Sequence, residues 1–236
     1  MKNTEPNDTA CRRCGTCCRK GGPALHTRDL ALFDGPNALP LSLIVTLRAG
    51  EMALDQLQGR VLGLGTEVLK LRGRTRNSQA CALLNPADSS CSLYARRPAE
   101  CRALSCRDTA PLAAMYDRDR LTRADLLPAG HGLLAVMAEH EALVPVLRIA
   151  PLACALRAGG QEGLDAGEEL TRMAVADRAF RTGLSRRAGI GPEYHECFLG
   201  REVGALFAAA GLCLRADAQS GLRVQTDPLA QSPCPA

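Results

Sequence analysis

Eight of the twelve cysteines fall within the first 106 residues, as Cys11-x2-Cys14-x2-Cys17-Cys18, a gap of 62 residues, then Cys81-x9-Cys91-x9-Cys101-x4-Cys106. Sulfur placed this densely must be buried singly, oxidised in pairs or gathered around metal, so the pattern limits the fold more than any other feature. Cysteine is about 5% of the 236 residues, below the level of a small disulfide scaffold. The first ten residues, MKNTEPNDTA, lack the basic start and apolar stretch of a signal peptide, and no run of about 18 uncharged apolar residues exists. A cytoplasmic chain with no membrane segment is expected, and in a reducing compartment clustered thiols point to metal.

Cysteines separated by two residues turn both sulfurs toward one ion, and Gly15 permits the tight backbone path this needs. Cys11, Cys14 and Cys17 are therefore expected to face a common centre. The run resembles the start of the bacterial ferredoxin pattern C-x2-C-x2-C-x3-C, whose thiolates hold iron–sulfur clusters, but it departs at Cys18. Adjacent cysteines are hard to aim at one tetrahedral ion across a planar trans peptide, so Cys17 and Cys18 are expected to serve different centres, or one stays an outer or reactive thiol. A closed shell then needs a remote donor among Cys81, Cys91, Cys101 and Cys106, which predicts that the two segments converge. Soft thiolates suit zinc and iron–sulfur clusters alike, so the cofactor stays open between them. Arg12, Arg13, Arg19, Lys20, Arg97, Arg102 and Arg107 flank the cysteines, where they can donate to sulfur or lie solvated on turns.

CRRCGTCC, followed by C-x9-C-x-L-Y-x-x-R-P-x-x-C-R-x-x-x-C from Cys81 to Cys106, closely resembles the bacterial YkgJ-type cysteine-cluster family, the CxxCxxCC proteins described as chelating zinc or iron. The match includes Leu93, Tyr94, Arg97, Pro98 and Arg102, and the stretch GGPALHTRDLAL is similar to the family as well. It covers roughly residues 11–117, with a weaker helical echo to about 210. The resemblance implies a metal site without fixing a reaction. Flagellin lysine N-methylase carries a related cysteine-cluster domain, which implies one alternative, a metal-dependent protein-modifying enzyme acting with S-adenosylmethionine.

The fold class expected is mostly α with a small β-hairpin, a cysteine-rich metal-stabilised N-terminal half packed on a helical C-terminal half. Residues 1–10 form a flexible N-terminus, 11–107 the metal-binding region, 108–215 a helical region and 216–236 an irregular tail, with a soft boundary near 107–110. Thr27 is the expected cap of a short helix holding Leu30 and Phe33, and Leu41–Arg48 is a second short helix candidate. Period-two alternation over Thr66–Arg76 predicts a strand with one basic face, paired with Gln79–Leu84 and extended by Ser92–Tyr94. Pro98 starts a helix with Cys101 and Leu104, and Thr109 with Pro111 starts another. Ala129–His140, Val144–Ala158, Leu164–Thr182 and His195–Ala210 are further helices.

The formal charge of +4 is too mild to argue for nucleic acid, and aromatics at 3% without Trp leave few rings for stacking bases. Expected partners are a metal ion or cluster, and a protein partner where the Lys70–Arg76 face meets an acidic surface, unless that face is a wet strand edge guarded by charge. His26 is a minor ligand candidate; His131, His140 and His195 read as structural. Cys154, Cys197, Cys213 and Cys234 stand alone and read as small buried apolar residues. Gly63-x-Gly65 lacks the third glycine of a dinucleotide fingerprint.

Overall fold

Three consecutive β-branched residues, Ile44, Val45 and Thr46, decide the first strand, because branched side chains lose rotamer freedom in a helix and pack well on a pleated surface. In the computed structural model, which describes residues 11–75, 78–216 and 221–228, the helix expected over Leu41–Arg48 is one 3-10 turn, Leu41–Leu43, running into strand β1 (Ile44–Leu47). A hairpin absent from the sequence reading follows, β2 (Met52–Asp55) and β3 (Arg60–Gly63). Its turn is built by Asp55, whose Oδ1 accepts the N–H groups of Leu57 and Gln58 at 2.8 Å each. Strand β4 (Val68–Leu71) then pairs with β1. It realises the alternation expected for Thr66–Arg76, with Leu69 and Leu71 buried; Arg76 lies outside the described residues.

The chain divides into two units, one comprising the chain up to Val45 with Val68–Leu126, the other Thr46–Glu67 with the chain from Leu127 onward. The composition change near 107–110 marks the end of the dense cysteines and not the end of the first unit. Beyond it, Leu121 N–H donates to Leu25 O at 3.0 Å and Thr27 N–H to Asp119 O at 2.8 Å.

In the first unit, Leu25, Leu69, Leu71 and Leu121 are fully buried. Leu25 N–H donates to Leu69 O and Leu71 N–H to Pro23 O, laying residues 23–25 beside β4. The approach requires glycine at 22, where a Cβ would stand 2.2 Å from Leu71 O. The pairing expected for Gln79–Leu84 exists as an isolated bridge, Gly73 with Cys81, supported by Arg74 N–H to Ala80 O and Ala82 N–H to Arg72 O. Ser92–Tyr94 adds no strand; Leu84 bridges Cys91 and a 3-10 turn covers Tyr94–Arg96. The basic face is partly consumed at home, since the Arg72 guanidinium donates to Ser42 O at 3.3 Å. Short helices α1 (Thr16–Lys20), α2 (Ala99–Ala103) and α3 (Ala110–Met115) complete the unit, the last two starting at Pro98 and at Thr109 with Pro111 as expected.

The second unit holds α4 (Gly132–Leu143), α5 (Ile149–Ala158), α6 (Gly160–Ala188), α7 (His195–Phe198) and α8 (Val203–Ala209). The helix expected over His195–Ala210 is thus two. The tail expected to be irregular contains β6 (Arg223–Thr226), antiparallel to β5 (Leu212–Arg215), because Val224 has a core position to fill. Helix α6 turns Ala166, Leu170, Met173 and Ala174 onto Leu152, Val203 and Phe207. His131 accepts Leu133 N–H at 3.2 Å and so caps α4. Among the described residues no helix is long and apolar enough to cross a membrane.

One buried carboxylate ties three of these helices. Asp177 Oδ1 accepts His140 Nε2–H at 2.7 Å and Arg181 Nε–H at 2.9 Å, while Oδ2 accepts Val203 N–H at the start of α8 at 3.1 Å. Arg181 also donates to the carbonyls of Gly200 and Arg201. His140 is fully buried and its Nδ1 has no hydrogen-bond partner. Burial pushes the imidazole below its ordinary value, against the pull of the Asp177 hydrogen bond. The native state therefore keeps His140 neutral where the unfolded chain, titrating near about 6.5, takes a proton, so stability is lost as pH falls below that value. The urea midpoint should drop between pH 7 and pH 5, and His140→Gln, which retains a donor for Asp177 without titrating, should flatten that drop.

Candidate metal centre

The loop Cys11–Gly15 carries two left-handed residues, Arg13 at φ 54° and Gly15 at φ 72°. Arg13 bears the strain of a side chain in that region, and at Gly15 a Cβ would also stand 3.1 Å from the Ser89 Cβ. The reversal lets Arg13 N–H reach the Cys11 Sγ at 3.4 Å, and it sets Cys14 Sγ 3.3 Å from the Thr16 hydroxyl. That hydroxyl, followed by the Thr16 N–H, holds the Cys14 thiol below its ordinary value. Arg19 fixes the loop by donating to Cys14 O at 2.8 Å and to Ser89 Oγ at 2.6 Å.

Cys17 and Cys18 lie on α1, whose Cys18 O accepts Cys81 N–H at 2.7 Å. This bond crosses the 62-residue gap and sets the second segment beside the first. Cys91 ends the turn stapled to Arg19, Cys101 sits in α2, and Cys106 follows it in a bend. One cleft of about 70 Å³ is lined by Cys11, Cys14, Cys17, Cys18, Cys91, Cys101 and Cys106, and Cys81 is buried. The sulfurs of Cys17 and Cys18 stand 4.0 Å apart. A tetrahedron with metal–sulfur bonds of about 2.3 Å has an edge of about 3.8 Å, so the peptide between these residues does not keep their sulfurs from one ion. Among the described residues no three His, Cys, Asp or Glu side chains are already drawn tightly enough to hold an ion.

The protons on these thiols are held firmly. Burial, then the neighbouring sulfurs of Cys17, Cys81 and Cys91, push the Cys18 thiol up to about 12. Burial and the same group of sulfurs raise Cys101, and burial with Cys91 and Cys17 raises Cys81, against the N–H of Leu83 and the charge of Lys70. The donor set fits a soft divalent cation or an iron–sulfur centre, whose positive charge replaces protons that repulsion otherwise retains.

Four residues outside the cysteine pattern place α2. Asp29 Oδ1 accepts Ala99 N–H at 2.8 Å at the start of that helix, and Oδ2 accepts His26 N–H at 3.0 Å. Glu100 Oε2 accepts Ala24 N–H at 2.8 Å and Oε1 accepts from Arg120 at 3.1 Å. His26 donates from Nδ1 to Arg118 O at 2.7 Å and rests its Nε2 3.4 Å from Glu100, so it serves this network and not the cleft. The cap of the Thr27–Phe33 turn is accordingly His26, closed by Asp29, and not Thr27. The spacing His26-x-x-Asp29 was the available signal, hidden because His is an uncommon cap.

Arg12, Arg13, Arg97 and Arg107 line the cleft. Arg19 and Arg102 spend guanidinium donors on the carbonyls of Cys14 and Arg97. In the second unit Cys197 is buried and Cys213 lies on β5, both as free thiols, whereas Cys154 is disulfide-bonded and not the free apolar residue expected. Cys234 lies outside the described residues.

Residues 10–115 match a family model named CxxCxxCC, "Putative zinc- or iron-chelating domain". No curated protein and no solved structure matches the chain significantly.

Removing the Asp29 carboxylate leaves two peptide N–H groups without acceptors, each costing about 1–3 kcal/mol when buried. Asp29→Ala should lower the melting temperature and make Cys101 react faster with a thiol reagent, as read by mass spectrometry of the labelled peptide, while Cys213 labels at the wild-type rate.

Proposed function

We propose, from the match of residues 10–115 to the CxxCxxCC family model, that the first unit is a metal-chelating module whose eight cysteines, Cys11, Cys14, Cys17, Cys18, Cys81, Cys91, Cys101 and Cys106, hold zinc or an iron–sulfur centre. The observation that carries this reading is the meeting of three separate segments, 11–18, 91 and 101–106, at one cleft lined by seven thiols. Bound there, the metal supplies a cross-link among segments that share few regular hydrogen bonds. The chain's own part is to release thiol protons, to orient sulfur through the Arg13 and Thr16 contacts, and to offset the anionic thiolate shell with arginine. A four-thiolate zinc carries two negative charges, as does a [4Fe–4S]²⁺ cluster with four thiolates. No observation at the cleft favours the methylase-like alternative.

Anaerobic purification followed by elemental analysis and an absorption spectrum tests the reading, because iron–sulfur charge transfer colours a protein and zinc does not. Folded, fully reduced protein that contains neither metal and takes up neither would overturn it. Cys101→Ala and Cys106→Ala should each lower metal content and speed proteolysis of residues 11–106. Replacing Cys154, Cys197, Cys213 and Cys234 together by Ser should leave the stoichiometry unchanged in soluble protein.

A further inference from the structure

The cleft sets positive side chains beside its thiols and no negative ones. Its charged lining besides the thiols is Arg12, Arg13, Arg97 and Arg107, with no Asp or Glu among the lining residues. Elsewhere in the unit arginines are spent on visible partners: Arg19 on Cys14 O and Ser89, Arg120 on Glu100. Arg13 and Arg97 are arranged otherwise. Their guanidinium carbons lie 3.9 Å and 4.1 Å from the centroid of the Tyr94 ring. The Tyr94 ring thus carries two cations against its π system.

A guanidinium held against a ring keeps its N–H donors at its edge, and that edge can grip a carboxylate or phosphate with two parallel bonds. The Arg97 Nε–H is buried without a hydrogen-bond partner. A donor withdrawn from water with nothing to receive it is costly to leave so, and an incoming oxyanion satisfies it. Ser89 and Ser105 share this lining.

We propose that the Arg13–Tyr94–Arg97 stack is a second binding element of the cleft, taking the oxyanion group, carboxylate or phosphate, of a ligand that enters beside the thiols. The proposal rests on the metal-chelating reading for what the thiols do, and the stack's recognition of an oxyanion is measurable apart from it. On this view the cleft receives metal in the company of an anionic co-ligand, one end seated at sulfur and the other on the stack. Arg13 and Arg97 recognise the anion, and Tyr94 is a positioning residue that holds the two guanidinium groups near each other.

Calorimetric titration of the full-length, zinc-loaded protein with succinate and with inorganic phosphate, at matched ionic strength, tests this. At least one anion should bind, and the one that binds identifies the oxyanion as carboxylate or phosphate. Arg13→Gln and Arg97→Gln should each weaken anion binding about tenfold or more, with affinity compared at the zinc content each variant retains. Arg97→Lys, which keeps charge and loses the fork, should recover only part of the affinity, and Tyr94→Phe should retain what Tyr94→Leu loses. Full zinc stoichiometry with neither anion bound, or with equal binding in wild type and variants, would overturn the proposal. Protein that takes up no zinc or iron but loses anion binding in both Arg13→Gln and Arg97→Gln overturns the chelation reading and sustains this one.

Discussion

Negative charge cannot collect on neighbouring sulfur atoms without a cation to offset it, and the first unit is organised around that constraint. Cys18, Cys81 and Cys101 hold their protons above the ordinary thiol range because burial and the other sulfurs act together. Protonation relieves that repulsion but supplies no bond between the segments, so the backbone is fixed by other means. The fixing is done by carboxylates away from the cleft: Asp29 receives the first N–H of α2, and Glu100 receives Ala24 N–H beside β4. The helix that presents Cys101 is five residues long and has little propensity of its own to form in isolation. Its position is therefore inherited from these two hydrogen bonds.

The sequence revealed the cysteine segments, the starts of α2 and α3, the strand β4 and most of the long helices, because each rests on local spacing or on a proline and its neighbours. Other features were hidden for specific reasons. Residues 41–48 contain enough leucine to look helical, but Ile44, Val45 and Thr46 in succession favour extension. The β2–β3 hairpin exposes Leu54 and Val61, so no clean alternation of buried and wet positions announces it. At the cleft, the pattern named the thiols but could not reveal that Asp29 and Glu100 hold α2, since neither sits at cysteine spacing. The Arg13 and Arg97 stack on Tyr94 joins residues more than eighty positions apart, which no local window contains.

The second unit meets a related problem with a different solution. His140, Asp177 and Arg181 are buried charges or potential charges, yet Asp177 accepts three hydrogen bonds within α4, α6 and the start of α8. A buried ion is costly unless its lone pairs are occupied, and here the carboxylate is occupied by the chain itself. Asp177 is thus satisfied by its own chain, whereas the cleft of the first unit is built from donors suited to an external ion.

The order in which the chain is made adds a consequence. The first unit is discontinuous, since Thr46–Glu67 belongs to the second. Cys11 through Cys18 leave the ribosome well before Cys101 and Cys106 do. At about 5–20 residues per second, the span between Cys18 and Cys106 takes roughly 4–18 s to synthesise. During that interval the nascent chain displays the early thiols without α2 or the Asp29 contact to Ala99 that positions it. The early run is then open to any soft ion or oxidant nearby, and which of them reaches it first becomes a matter of timing as well as affinity.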